Sequence, residues 1–220
     1  MKNRNKSKRS GIIWMTAGLL LLAAALFLTI WNLWQERRAG EAAYEISEAM
    51  LEAEPQMAAS LAPAGAADDA PLVVKGDAVP DYVRFPGMEM PTVEIDGRDY
   101  IGLLEIPALE LLLPIISEWS YDNLKLVPCR YSGSMYSGDL VIAGHNYRSQ
   151  FASLIDLQPG DGVIFTDADG NVFPCQVAET EILGPTDIEA MESGDWDLTL
   201  FTCTVGGQNR VAVRCILEDS

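Results

Sequence analysis

A chain of 220 residues has room for one ordinary domain plus an appendage, since single domains commonly run to about 100–200 residues. Its formal charge of -17 comes from 32 acids set against 15 bases. So acidic a body repels phosphate backbones, which attract proteins chiefly through Lys and Arg, and nucleic acid is excluded as a partner.

The first ten residues run against that balance, carrying Lys2, Arg4, Lys6, Lys8 and Arg9 and no acid. This basic tail, 1–11, leads into an uncharged apolar stretch, 12–31, whose roughly 20 residues span the hydrocarbon core of a bilayer as a helix. A cleavable signal peptide has an apolar core of only about 7–15 residues followed by a small-residue cleavage site, and neither fits here. An uncleaved, single-pass signal anchor is therefore expected. Five bases precede the stretch while Arg37 and Arg38 follow it, so the positive-inside rule keeps the N-terminus cytoplasmic and exports the remainder.

Residues 32–92 are expected to form a juxtamembrane helix and a linker. The run 41–54 is dense in Ala, Leu, Met and Glu, with Ile46 and Met50 on one helical face. The run 55–80 is rich in Ala, Pro, Gly and Asp and lacks periodicity until Val73, which predicts a tether holding a folded domain off the bilayer.

From about Val93 the chain changes to short apolar runs broken by turn residues, the pattern of antiparallel β structure. Strands are expected at 100–106, 109–116, 139–143, 162–166, 172–177, 198–203 and 210–217, and a short helix within 149–157. The segment Asp167-Ala-Asp-Gly-Asn171 reads as a hairpin turn; its glycine comes too early for a calcium loop and no distal Glu is placed for one. A series of about eight strands with short helices predicts a mainly β fold closed into a barrel, which leaves no strand edge exposed, over 93–220.

The chain has one histidine, His145, placed where the apolar run Val-Ile-Ala-Gly gives way to a polar loop. Among four cysteines, Cys203 ends an apolar strand before a glycine-containing loop, which exposes a thiol at a strand mouth. Cys215 alternates with Val211 and Val213 on a core face and reads as packing. Cys129 and Cys175 suit either buried hydrophobes or a disulfide, because export permits oxidation. With one histidine and no CxxC pair, a zinc site is not expected. A thiol with a pKa near 8.5 is only about 3% thiolate at pH 7, so a nucleophilic Cys203 needs a nearby base or cation. Arg210 opens the last strand across a short loop and is placed to hold an oxyanion; Arg214, on the same face by parity, competes for that role.

The run Leu198–Cys203 (LTLFTC), followed by Arg210-Val-Ala-Val and preceded by Ala143-Gly-His-Asn146, resembles the sortase family of surface-protein transpeptidases. Residues 101–107 (IGLLEIP), 113–115 (LPI) and 151–161 (FASLIDLQPGD) stand in the family's order, so the resemblance covers about 100–217. It implies a closed eight-stranded barrel with Cys203, His145 and Arg210 converging at one end of a groove. It further implies that Cys203 attacks the Thr carbonyl of a signal resembling Leu-Pro-x-Thr-Gly and passes the acyl group to an amine. His145 would move protons and Arg210 would stabilise the anion. Thr202, Thr204, Asn146 and Ile188 are the expected substrate-binding residues, Ile188 within the loop 183–196 that would shape substrate choice. The implied partners are surface proteins bearing a C-terminal sorting signal, an amine acceptor such as a cell-wall precursor, and the membrane through 12–31. No cofactor and no metal are expected; Asp187, Glu189, Glu192, Asp195 and Asp197 could attract calcium, as acidic loops do in some relatives, but read as solvated acids. The absence of a second span after the last strand and of an Asp-Pro-aromatic lid speaks against the pilin-polymerising branch, and the subclass stays open. Two further readings share these residues: a cysteine endopeptidase with water as acceptor, and a non-catalytic tethered binding domain.

Overall fold

The computed structural model describes residues 4–61, 80–85 and 87–218. The first residues of the basic tail and residues 62–79 of the expected tether lie outside the described residues. Helix α1 (Arg4–Ala53) ends at Pro55, which cannot continue a helix but suits the first position of α2 (Pro55–Leu61). From Trp14 onward α1 is long and apolar enough to cross a membrane. The chain falls into two compact units, Met1–Arg38 and Ala39–Ser220. In the first, Trp31 lies 5.4 Å from Trp34, and the Arg38 guanidinium sits 4.7 Å over the Trp34 ring, the amphipathic set that favours a membrane interface.

The second unit is a closed barrel. Its strands are β1 (Val93–Ile95), β2 (Arg98–Ile106), β3 (Leu111–Ile116), β4 (Cys129–Ser132), β5 (Leu140–Ala143), β6 (Gly162–Asp167), β7 (Val172–Leu183), β8 (Leu198–Cys203) and β9 (Arg210–Leu217). Hydrogen bonding runs β2-β3-β4-β5-β8-β9-β7-β6 and returns to β2, so eight strands close, with β1 a short flap on β2. The β1–β2 turn holds Asp96 and Gly97 at positive φ (51° and 74°), as a tight hairpin requires.

The expected purely antiparallel pattern is corrected in two places, because β3–β4 and β5–β8 are parallel. Each parallel pair is joined by a dozen or more residues, long enough for the crossover that a hairpin turn cannot make. Strand β4 escapes the sequence reading because four residues without alternation carry no periodic signal. Strand β7 runs past the expected 172–177 to Leu183, where a bulge between Val177 and Glu179 shifts the register against β9. Within 149–157 the chain makes turns and one 3-10 segment, Leu154–Asp156, instead of a helix.

The barrel core is built mainly of apolar side chains: Leu104, Ile115, Ile142, Leu200 and Val213 are fully buried. The same cluster takes in Ala43, Ile46, Met50 and Met57. The packed unit thus starts at Ala39, inside the stretch that the sequence assigns to helix and linker. Ala39, Ala43, Ile46 and Met50 form one buried stripe at helical spacing. Helix α2 seats on the β6–β7 turn, where the Ser60 hydroxyl donates to the Gly170 carbonyl at 2.9 Å. That turn joins β6 to β7 as the expected hairpin. Asp167 accepts from the Asn171 amide (2.8 Å), the Asn171 side chain (2.7 Å) and the buried Tyr136 hydroxyl (2.7 Å).

Candidate active site

Strands β5 and β8 lie side by side and parallel, with Ala143 level with Phe201, and the Gly144 N–H donates to the Phe201 carbonyl at 2.9 Å. Both chains therefore leave the sheet at one end of the barrel, His145 two residues beyond Ala143 and Cys203 two beyond Phe201. Across the antiparallel β8–β9 pair Cys203 is the direct partner of Arg210. The intervening turn is tight. The Thr204 amide donates to the Asn209 carbonyl (2.9 Å), the Asn209 amide returns to the Thr204 hydroxyl (3.1 Å), and Gly206 and Gly207 supply positive φ.

The polypeptide around His145 is fixed by Gly144, which the sequence shows as part of the Gly-His motif, and by Gln150, which the sequence reading passed over. A side chain at Gly144 would collide with the Phe151 ring, so only glycine lets the chain turn there. The fully buried Gln150 accepts from the His145 amide at 2.8 Å and donates to the Leu126 carbonyl at 3.2 Å, tying the histidine to the β3–β4 connection. The imidazole stacks on Tyr147, ring centroids 4.1 Å apart and 7° from coplanar. Burial first, and the Lys125 charge second, lower its pKa from the usual histidine range, so the neutral ring is the resting form at pH 7.

A cavity of about 280 Å³ opens at this end. Cys203, Thr202 and Phe201 from β8 and Arg210 from β9 form its base; Ile188 and Met191 of α5 (Ile188–Glu192) form one wall, and Trp119 and Tyr131 the other. Trp119, Tyr131 and Phe201 meet edge to face at centroid distances of 6.2 and 5.3 Å, which stiffens that side. Three larger grooves, about 680, 530 and 430 Å³, contain neither Cys203 nor Arg210. The smaller cavity is the chemically relevant one, because it holds the half-buried thiol and the guanidinium together.

Of the expected substrate-binding residues, Thr202 and Ile188 line the cavity, whereas Thr204 and Asn146 do not. The Thr204 hydroxyl is engaged in closing the β8–β9 turn. His145 is not itself on the lining; its neighbours Ala143 and Gly144 are. The two arginines separate cleanly. Arg210 is half-buried on the cavity, with Nη1 donating to the Gly207 (3.3 Å) and Asn209 (3.1 Å) carbonyls. Arg214 is 2% exposed and fully engaged with Glu181, Thr199 and carbonyls of α5, so it has no donor to offer a substrate.

Cys129, Cys175 and Cys215 are buried free thiols, with no disulfide among the described residues. Burial pushes the Cys129 and Cys175 thiols up to about 12 and the Cys215 thiol higher still, which makes all three inert. Among the described residues no three His, Cys, Asp or Glu side chains converge as metal ligands would. Two of the loop acids are spent on backbone: Asp187 accepts from the Gly184 amide (2.9 Å) and Asp197 from the Leu217 amide (2.7 Å).

A family model described as Sortase domain matches residues 104–218, just over half of the chain. Sortase A of Bacillus anthracis is 26% identical over 121 residues, 52% of this chain and 57% of that protein. The chain therefore spans little more than half the length of that curated relative. Among solved structures, a Clostridium perfringens sortase D5 transpeptidase superposes with a TM-score of 0.51 at 22% identity, over 65% of this chain and 91% of its own. Listeria monocytogenes sortase A superposes with a TM-score of 0.50 at 20% identity, over 55% of this chain and 88% of its own. Likeness at that identity supports the barrel fold alone.

Proposed function

The chain belongs to the sortase family, and from that premise we propose that it is a membrane-anchored cysteine transpeptidase whose catalytic unit works outside the cytoplasm. Residues 12–31 anchor it, and the basic tail holds the N-terminus inside. Its substrates are surface proteins with a C-terminal signal resembling Leu-Pro-x-Thr-Gly, and its acceptor is an amine such as a cell-wall precursor.

In this reaction the Cys203 sulfur attacks the Thr carbonyl carbon and a C–S bond forms. The Arg210 guanidinium stabilises the resulting oxyanion with donors not spent on the β8–β9 turn. His145, as imidazolium, gives its proton to the departing amine as the C–N bond breaks, leaving a thioacyl enzyme. The acceptor amine then attacks that carbonyl, loses its proton to the imidazole, and expels the Cys203 thiolate as the new amide forms. The lowered imidazole pKa makes the imidazolium the minority form of the histidine in the resting enzyme.

The observation that carries this reading is the direct cross-strand pairing of Cys203 with Arg210 at the cavity, at the same barrel end as the lone histidine. The test is to incubate the full chain in detergent micelles with sorting-type peptides, with and without candidate amines, and to identify products by mass. Transpeptidation yields an adduct on Cys203 that resolves to a new amide when amine is present, and nothing with Cys203→Ala. Release of free acid alone, whatever the amine, would make the protein an endopeptidase; no cleavage of any peptide would remove both readings.

A further inference from the structure

Strand β9 alternates between the core and an outer face. Val211, Val213 and Cys215 join the barrel core, while Ala212 joins a separate small cluster with Val141 and Met191. Arg214 shares the outer face with Ala212 and Arg210 and lies beneath the loop that carries α5. Its guanidinium makes four hydrogen bonds, and Nη2 also stands in ion-pair contact with Glu181. Nε and Nη2 reach Glu181 on β7 (both 2.7 Å), Nη1 reaches the Met191 carbonyl (2.7 Å) and the Thr199 hydroxyl on β8 (3.0 Å), and Nη2 also reaches the Ala190 carbonyl (2.5 Å).

The two carbonyls are the important partners. They stand near the C-terminal end of α5, a helix of five residues whose last carbonyls find no partners within it. A cation there also suits the negative end of the helix. Otherwise α5 is held by the buried Met191 side chain and by the Asp187–Gly184 bond at its entry. Ile188 and Met191 of the same helix form the cavity wall over Cys203.

We propose that Arg214 is a positioning residue that sets the α5 wall of the cavity, and through it the affinity for the apolar part of the peptide substrate, while taking no part in the chemical step. A planar fork can bridge two carbonyls, a hydroxyl and a carboxylate at once; an ammonium on a flexible stem cannot. The inference rests on the peptide-substrate reading of this cavity.

Two variants test it. Arg214→Met in the full chain raises KM for a cleaved peptide roughly tenfold or more, the scale of lost hydrogen bonds to a charged group, with kcat held within about twofold. Arg214→Lys keeps the charge beside Glu181 and recovers part of the loss. A folded variant with unchanged KM, or one that loses kcat alone, overturns the proposal; if Arg214→Met does not fold, Arg214→Lys decides by the same criteria. Hydrogen exchange supplies a readout without substrate. The Met191 and Ser193 amides, which bond to Asp187 and Glu189, exchange roughly tenfold faster in Arg214→Met and by a smaller factor in Arg214→Lys, while the Val211 and Val213 amides keep their rates. Should the wild type cleave no sorting peptide, the functional proposal fails while exchange still decides this one, and unchanged exchange at Met191 and Ser193 overturns it.

Discussion

If residues 39–61 belong to the catalytic unit, a single substitution at Met57 destabilises the whole barrel. Met57 is fully buried in α2 and joins the cluster that fills the barrel. Cutting a buried Met to Ala costs about 2–5 kcal/mol, counting lost transfer and the cavity left behind. In a unit of this size each kcal/mol moves Tm by roughly 2–4 °C, so Met57→Ala lowers Tm by about 4–20 °C. The measurement is thermal unfolding by near-ultraviolet circular dichroism of a chain begun at Ala39. Gly170 provides the reciprocal test. It sits at φ +79°, and a Cβ there would approach the Gln56 backbone carbon to 2.9 Å. In a chain begun at Tyr82, Gly170→Ala costs only the left-handed strain, about 1–2 kcal/mol; in the chain begun at Ala39 the displaced α2 adds about 1–3 kcal/mol more. A Met57→Ala protein with unchanged Tm, together with equal Gly170→Ala costs in the two chains, would return the segment to a mere tether and refute this reasoning.

Two other outcomes follow from the site. His145, the only histidine, gives one pair of ring-nitrogen signals in nitrogen-15 NMR, and their shared midpoint falls below the ordinary value near 6.5, moving upward in Lys125→Gln. Because the folded pKa is depressed, the unfolded chain binds the extra proton, so stability falls as pH drops below about 6.5 and levels off beneath the folded midpoint; a midpoint above 6.5 contradicts the burial argument. Brief iodoacetamide treatment of native protein adds one label, at Cys203, and four after unfolding in urea, read by intact mass; labelling of Cys129, Cys175 or Cys215 in the native state would show that their burial is overstated.

The pairing of Cys203 with Arg210 was legible in the sequence, because an apolar run, a glycine-rich loop and a second apolar run are local and make a strand, turn and strand. The placement of His145 at the same barrel end was not. It depends on β5 and β8 lying parallel although almost 60 residues separate them, and no periodicity encodes a crossover; the resemblance to a known family supplied it. Parity placed Arg210 and Arg214 on one face without choosing between them, since the choice lies with the carbonyls of α5, and their approach is a tertiary event. Gln150 carried a faint local signal, a polar side chain flanking an apolar strand end, too common to single out. The stripe Ile46 and Met50 was visible as a helical face, but its partner, the barrel core, lies far along the chain. Thr204, Asn146 and His145 all stand off the cavity lining, close in sequence to Cys203 and Gly144, which are on it.

The proposed chemistry requires the His145 imidazole to lie within electrostatic reach of the Cys203 sulfur. Attaching a sulfonate or a trimethylammonium group to Cys203 through methanethiosulfonate reagents places a fixed charge of either sign at that sulfur, and the lone imidazole reports it by NMR titration. The anion is expected to raise the His145 midpoint and the cation to lower it, because a fixed charge beside the ring favours or disfavours the imidazolium. Identical midpoints with the two labels would place the imidazole out of reach of the sulfur and contradict the account.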